Sequence, residues 1–236
     1  MSLLTIIQAV SDRLSLRRPT AVASSADQQV RQLFALANEE GAELAKRANW
    51  PALMMEQTFI TTATETQATA FPADFREFVP GSFFNRTQGR RLIGPITPQQ
   101  YQAIKARPVY GLVYLSFRVR ARQFLVTPAP PAGDVIAYEY LSTRWAKSDA
   151  DQPKAEFTSD DDGTFLDEEL FKLGVRWRYL KANGLDYSED FRSYEMAVER
   201  AIAGNGNAGA LSMGGGYIDP ILSSGRANAP EGSFGV

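Results

Sequence analysis

The chain contains no cysteine and no histidine. Without cysteine there is no disulfide, no thiolate zinc ligand, no iron–sulfur cluster and no thiol nucleophile. Without histidine the commonest general base, the usual zinc ligand and the Ser-His-Asp triad are gone too. No apolar run approaches the roughly 18 residues of a membrane span. Residues 1–10 have no basic leader; Leu3, Ile6, Ile7, Val10 and Leu14 instead share one face of a helix. Arg17-Arg18 comes too late for a twin-Arg signal. The expectation is a protein made and kept in a cytosol, with no membrane partner. Net charge is also scarce: 25 Lys+Arg against 27 Asp+Glu leave −2, which makes no global case for nucleic acid. What is present is core material, with 44% of 236 residues hydrophobic. Composition leans away from enzymes, and no cofactor is expected.

Periodicity divides the chain into zones. Residues 1–55 read as helices. Ser25 and Gln28 suggest a capping box, and Val30, Leu33, Phe34, Ala37, Leu44, Ala45 and Ala48 form a long apolar stripe ended at Asn49-Trp50-Pro51. Residues 56–150 read as β. Strands are expected over 58–63, 112–120, 124–127 and 134–141, with 112–120 and 124–127 forming a hairpin. Ile136, Tyr138 and Tyr140 fall on one face of the last strand, Val135, Ala137 and Glu139 on the other. A short helix starts near Thr97-Pro98. Residues 151–204 read as helices again. Thr164 is expected to cap one carrying Leu166, Leu170, Leu173, Trp177 and Leu180, closed by Gly184. Asp186 caps another, with a face of Tyr187, Phe191, Tyr194, Val198, Ala201 and Ile202, stopped by Gly204.

The fold class expected is α+β: a four-helix bundle built from the N- and C-terminal helix pairs, with an inserted antiparallel β-rich domain. An extended arm, 205–236, follows. From Gly204 onward nine of the 18 glycines fall in 33 residues, with only Asp219, Arg226 and Glu231 charged. Such a segment cannot offset its ordering entropy alone. It reads either as a loose terminus or as an arm that orders against a partner, with Leu211, Met213, Tyr217, Ile218, Ile221, Leu222 and Phe234 as anchors.

Candidate chemistry is thin. Residues 204–209 match G-x-G-x-x-G but follow a helix, so a dinucleotide site lacks its structural context. Residues 158–169 nearly match a calcium loop, with Asp160, Asp162, Gly163 and Glu169 in place, but Thr158 stands where the first Asp belongs. The plainer reading is an acidic loop complementing a helix N-terminus. Glu39/Glu40 and Asp167/Glu168/Glu169 are neighbouring carboxylates, and adjacent acids on a helix point to different sides. A carboxylate-based cell-wall hydrolase stays open without a motif to support it. Trp50, Trp145 and Trp177 read as core.

The charge map says more. Residues 78–133 hold no acid and eight bases, Arg86, Arg90, Arg91, Lys105, Arg107, Arg118, Arg120 and Arg122. Residues 134–169 hold eleven acids against three bases. Beyond an ordinary mixed surface, two uses stand open. One is a nucleic-acid-binding module built on the hairpin carrying Arg118, Arg120 and Arg122. The other joins copies: a basic face of Arg86, Arg90, Arg91, Arg118, Arg120 and Arg122 meeting an acidic face of Asp160, Asp161, Asp162, Asp167 and Glu168.

Several strings then stand out. They are residues 7–14 (IQAVSDRL), 29–41 (QVRQLFALANEEG), 72–75 (PADF), 94–98 (GPITP), 125–133 (LVTPAPPAG), 167–178 (DEELFKLGVRWR) and 184–187 (GLDY). Over about residues 3–203 the chain resembles the head-to-tail adaptor proteins of tailed bacteriophages: head-completion, tail-accessory and tail-tubular proteins. That resemblance implies a structural virion protein of the neck, not an enzyme, assembled in the host cytoplasm. It implies a ring of twelve copies beneath the portal protein, extending a channel for DNA that is not read by sequence and docking the tail or nozzle protein. It also implies that 205–236 grips the portal through the apolar anchors named above.

Overall fold

The computed structural model describes residues 2–67, 71–106 and 115–205. Among them are five α-helices and eleven short strands, an α+β fold whose sheets are all antiparallel within their named ladders. No described helix is long and apolar enough to cross a membrane. The anchors Leu211 to Phe234, and residues 206–209 of the glycine motif, lie outside the described residues.

The helical part starts with α1 (Leu3–Arg13), whose Leu3, Ile6, Ile7 and Val10 are all buried as their spacing predicts. Helix α2 (Gln28–Arg47) starts later than the expected capping box allows. Its N-cap is Asp27, whose carboxylate accepts the Gln29 amide at 2.8 Å, while the Ser25 hydroxyl accepts the Asp27 amide. A carboxylate is a stronger acceptor at the positive helix end than a hydroxyl, and the Ser turn delivers it there. Helix α4 (Glu168–Ala182) is likewise capped by Asp167, not Thr164, which sits in a strand with its hydroxyl accepting the Leu166 amide. Gly184, at φ +70°, ends α4 as expected; Leu185 N–H donates to the Leu180 carbonyl and Gly184 N–H to Lys181, closing a Schellman turn. Helix α5 (Ser188–Gly204) starts where the Asp186 carboxylate accepts the Ser188 amide and hydroxyl.

Helix α4 is the hub, touching α1, α2 and α5. Its burial is correspondingly wider than the expected stripe: Leu170, Phe171, Gly174, Val175, Trp177, Arg178 and Tyr179 are buried, and Leu173 and Leu180 only partly. A single stripe serves a helix with one neighbour; three neighbours need three faces. Trp145 fills the space left by Gly41 of α2, packing edge-on to Phe157 at 4.7 Å.

The β part is organised on one strand. β1 (Met54–Ile60), β2 (Thr66–Gln67), β3 (Phe75–Phe78), β4 (Phe84–Asn85) and β5 (Arg90–Arg91) precede α3 (Pro98–Ala106). After α3 come β6 (Ser116–Arg120), β7 (Gln123–Thr127) and β8 (Val135–Ser142). β8 pairs with β1 along one edge and with β3 and β4 along the other; β5 extends the sheet beyond β4. The hairpin β6–β7, with β2, makes a second sheet. A second hydrophobic core lies here, built on Phe59, Phe83, Phe117, Phe124, Ile136, Tyr138 and Tyr140. Phe83 and Phe117 approach to 4.0 Å between centroids, and Phe117 stacks on Phe124 at 4.9 Å. β9 (Ala146–Lys147), β10 (Pro153–Lys154) and β11 (Gly163–Thr164) form a small third sheet that leads back to α4. The β part is tied to the helices by Arg76 of β3, whose guanidinium donates to the Ala45 and Ala48 carbonyls at the C-terminal end of α2.

Candidate functional site

The six arginines of the expected basic face are divided between two sheets. Arg86, Arg90 and Arg91 belong to the β4–β5 hairpin and its turn; Arg118, Arg120 and Arg122 belong to β6–β7. Alternation puts Phe117 and Val119 on the aromatic core and Arg118 and Arg120 on the opposite face. There Arg118 lies over the Tyr101 ring of α3, 5.3 Å from its centroid, and is half-buried. Tyr101 and Lys105 of α3 both reach Glu65, which also accepts from Thr127, so α3 is pinned onto this sheet. Burial would raise the Glu65 carboxyl, but the Lys105 ammonium and Thr127 hydroxyl prevail and hold it below its ordinary value.

Arg120 and Arg122 stay exposed at the tip. The two-residue turn between the strands is Ala121-Arg122, with φ of 48° and 59°. Both central residues of such a turn need the left-handed region, where Asn-Gly is the favoured sequence. This tip therefore stores strain of order 1–3 kcal/mol per residue.

The five acids of the complementary face are not equivalent. Asp160 accepts the Val22 and Ala23 amides at 2.9 and 2.7 Å. Asp162, 2% exposed, accepts Lys154 at 2.5 Å and the Thr158 and Ser159 amides. Burial alone would raise the Asp162 carboxyl; the Lys154 ammonium and the two amides outweigh it and hold it below the ordinary range. The carbonyls of Asp160 and Asp162 in turn accept the Leu4 and Leu3 amides, which are among the first N–H groups of α1. The near-calcium loop is thus a hydrogen-bonded clasp on the start of α1. Asp167 caps α4, Glu168 is half-buried in its first turn, and Asp161 is exposed.

Ion pairs of the basic stretch run backwards along the chain, Arg86 to Glu56 at 2.6 Å and Lys105 to Glu65. Those of the acidic stretch are local, Lys147 to Asp151 and Lys154 to Asp162.

A polar cluster inside the helical core was not anticipated. Glu40 of α2 is 0% exposed and accepts from Arg178 Nε at 2.7 Å and from the Tyr194 hydroxyl at 2.6 Å. Arg178 Nη1 reaches Glu39 at 2.7 Å and Nη2 reaches Glu43. Adjacent acids on α2 therefore converge on one cation, against the expectation that they diverge, because the long guanidinium spans the groove between helices. Burial pushes the Glu40 carboxyl above its ordinary value, resisted by Tyr194 and Arg178. Burial also lifts the Tyr194 phenol. Arg178 stays a cation: burial opposes its charge, but Glu40 and Glu43 raise it above the usual value. Gly174 makes room, since a methyl there would overlap the Glu40 carboxyl. No periodicity signals such a pairing, because its partners stand more than a hundred positions apart in sequence.

Among the described residues no group of acids is arranged to hold a metal ion. A groove of about 630 Å³ is lined by residues 81, 83, 84 and 89–94.

A family model described as SU10 adaptor protein matches residues 1–214. A search of curated proteins finds no match.

Proposed function

The chain belongs to the SU10 adaptor protein family, a family of phage head-to-tail adaptors, and from that premise we propose how it works as one. Membership makes it a structural component of a phage virion that contacts other head and tail proteins. The finer reading is a ring of twelve copies beneath the portal, assembled in the host cytoplasm, which extends the DNA channel and docks the tail protein. The four helices α1, α2, α4 and α5 act as a bundle that carries the 56–150 body, and residues 205–236 form an arm whose apolar residues anchor on the portal.

The observation that carries the ring is the separation of charge. Basic and acidic stretches each find ion partners elsewhere or within themselves, and Arg120, Arg122 and Asp161 are left exposed. Exposed charge of each sign on one molecule suits a heterologous contact, which closes into a ring when the rotation allows. Asp160 and Asp162, held in the clasp, shape the acidic face more than they charge it.

Particle images and mass measurements on the full chain, alone and with purified portal, test this reading. Rings that loosen at high salt are expected. Salt-insensitive rings, or none with or without portal, would sink it. Deleting 205–236 should abolish portal binding; retained binding removes the arm from the proposal. A monomer that binds DNA with steep salt dependence, relieved by alanine at Arg118, Arg120 and Arg122, would favour the nucleic-acid-binding reading instead.

A further inference from the structure

The groove on the β4–β5 hairpin has a buried apolar floor and a basic rim. Phe83 and Leu92 are 1% and 2% exposed at its base, whereas Ile93 is 50% exposed on its wall. Arg90 and Arg91 line it, and Arg91 crosses Gly81 so closely that a methyl there would stand 3.1 Å from its Nη2. The pairing pattern adds a backbone feature. Leu92 N–H bonds to the Phe83 carbonyl on one side, while Ile93 pairs on the other with the Leu115 carbonyl and the Phe117 amide, so this wall of the groove is held from both sides. The groove thus offers apolar contact and positive charge together.

One segment of the chain matches that chemistry. Residues 217–222, Tyr-Ile-Asp-Pro-Ile-Leu, place the single carboxylate of Asp219 among four apolar side chains and a proline. It is flanked by glycine-rich sequence, and residues 206–216 can span at most about 36–40 Å when extended. We propose that residues 217–222 of one copy seat in the β4–β5 groove of a second copy, with Tyr217 and Ile218 against Ile93 and Asp219 at Arg90 and Arg91. The choice of a second copy rests on the ring reading above. The seat holds neighbouring copies together and keeps the arm's apolar residues covered until a stronger partner takes them.

The absence of native cysteine makes this directly testable. Ile93→Cys in one tagged chain and Ile218→Cys in another are mixed as full-length proteins and oxidised. A crosslinked heterodimer is expected, reduced about fivefold by Asp219→Lys, with circular dichroism confirming the fold. Arg90→Glu/Arg91→Glu on the groove side should reduce it similarly, with circular dichroism confirming the fold. A crosslink found only within single chains carrying both cysteines overturns the second-copy seat. No crosslink in either format overturns the groove. Particle images of the same samples separate the two proposals: rings without the crosslink leave the ring standing and remove the groove. A crosslinked dimer without rings does the reverse.

Discussion

The Tyr194 hydroxyl donates to the buried Glu40 carboxylate at 2.6 Å, joining α5 to α2 across 154 positions of sequence. α5 has only two buried residues, Tyr194 and Val198. Beside its apolar contacts it is held by polar ones: Tyr194 to Glu40, Asp190 to Arg176, and Glu195 in a two-bonded fork with Arg47 at 2.6 and 2.7 Å.

Removing the central cation should cost more than removing the carboxylate. Arg178→Met leaves Glu40 buried and uncompensated, for an expected loss of about 3–5 kcal/mol at neutral pH. Folded Glu40 holds its proton to higher pH than the unfolded chain, whose value is near 4.5. Stability from this group is therefore present below that value and falls as pH rises through the raised one. The Arg178→Met loss should shrink toward pH 4–5 and be partly relieved by adding Glu40→Gln. Urea titrations at two pH values check this; a pH-independent loss with no relief would refute it.

Gly174→Ala should be among the more damaging small changes. Its methyl would overlap the Glu40 carboxyl, and shifting Glu40 breaks bonds to Arg178 and Tyr194. A loss of about 1–3 kcal/mol or more is expected, read as a lower thermal midpoint. A neutral result would mean that the helices can part at no cost.

The acidic clasp should be sensitive to acid. The Asp162 carboxyl lies below its ordinary value, so its contribution is present above that value and lost as pH falls through the lowered one. Asp162→Asn should lose about 1.5–3 kcal/mol at pH 7. Native and variant stabilities should converge in strong acid. Faster hydrogen exchange at the Leu3 and Leu4 amides would locate the damage, and unchanged exchange there would argue against the clasp.

The aromatic core of the β part should behave as one block. Phe117 is 0% exposed, stacks on Phe124 and meets the Phe83 ring at a tilt. Phe117→Ala is expected to cost about 3–5 kcal/mol, with loss of near-ultraviolet dichroism. Retained dichroism with a small loss would indicate a core that collapses to fill the gap.

The hairpin tip offers a gain instead. Ala121 sits at φ 48°, which asparagine tolerates better than alanine. Ala121→Asn should stabilise the fold by several tenths to about 1 kcal/mol. Binding or assembly that depends on Arg120 and Arg122 should be unchanged, since neither arginine is altered.

Much of the architecture was legible along the chain because its signals are local. The α1 face, the β6–β7 hairpin, the β8 alternation and the Gly184 stop each depend on a few neighbouring residues and on helical or strand period. The helix starts were less legible. Ser25 and Thr164 have the right side chains, but Asp27 and Asp167 offer stronger acceptors two or three residues on.

The sequence by itself determined where apolar faces fall, that the chain is α+β, and that charge is segregated into a basic and an acidic stretch. Only the tertiary structure decided which charges remain for a partner. Asp160 and Asp162 look like surface acids in sequence, but the Asp160 carboxylate is bound to the Val22 and Ala23 amides and that of Asp162 to Lys154 and its own loop, Arg118 is laid over Tyr101, and Glu40 is buried under Arg178 and Tyr194. The reason is physical. Apolar burial follows local period and accumulates residue by residue, whereas a buried polar group is stable only if specific donors, distant in sequence, arrive at hydrogen-bonding distance.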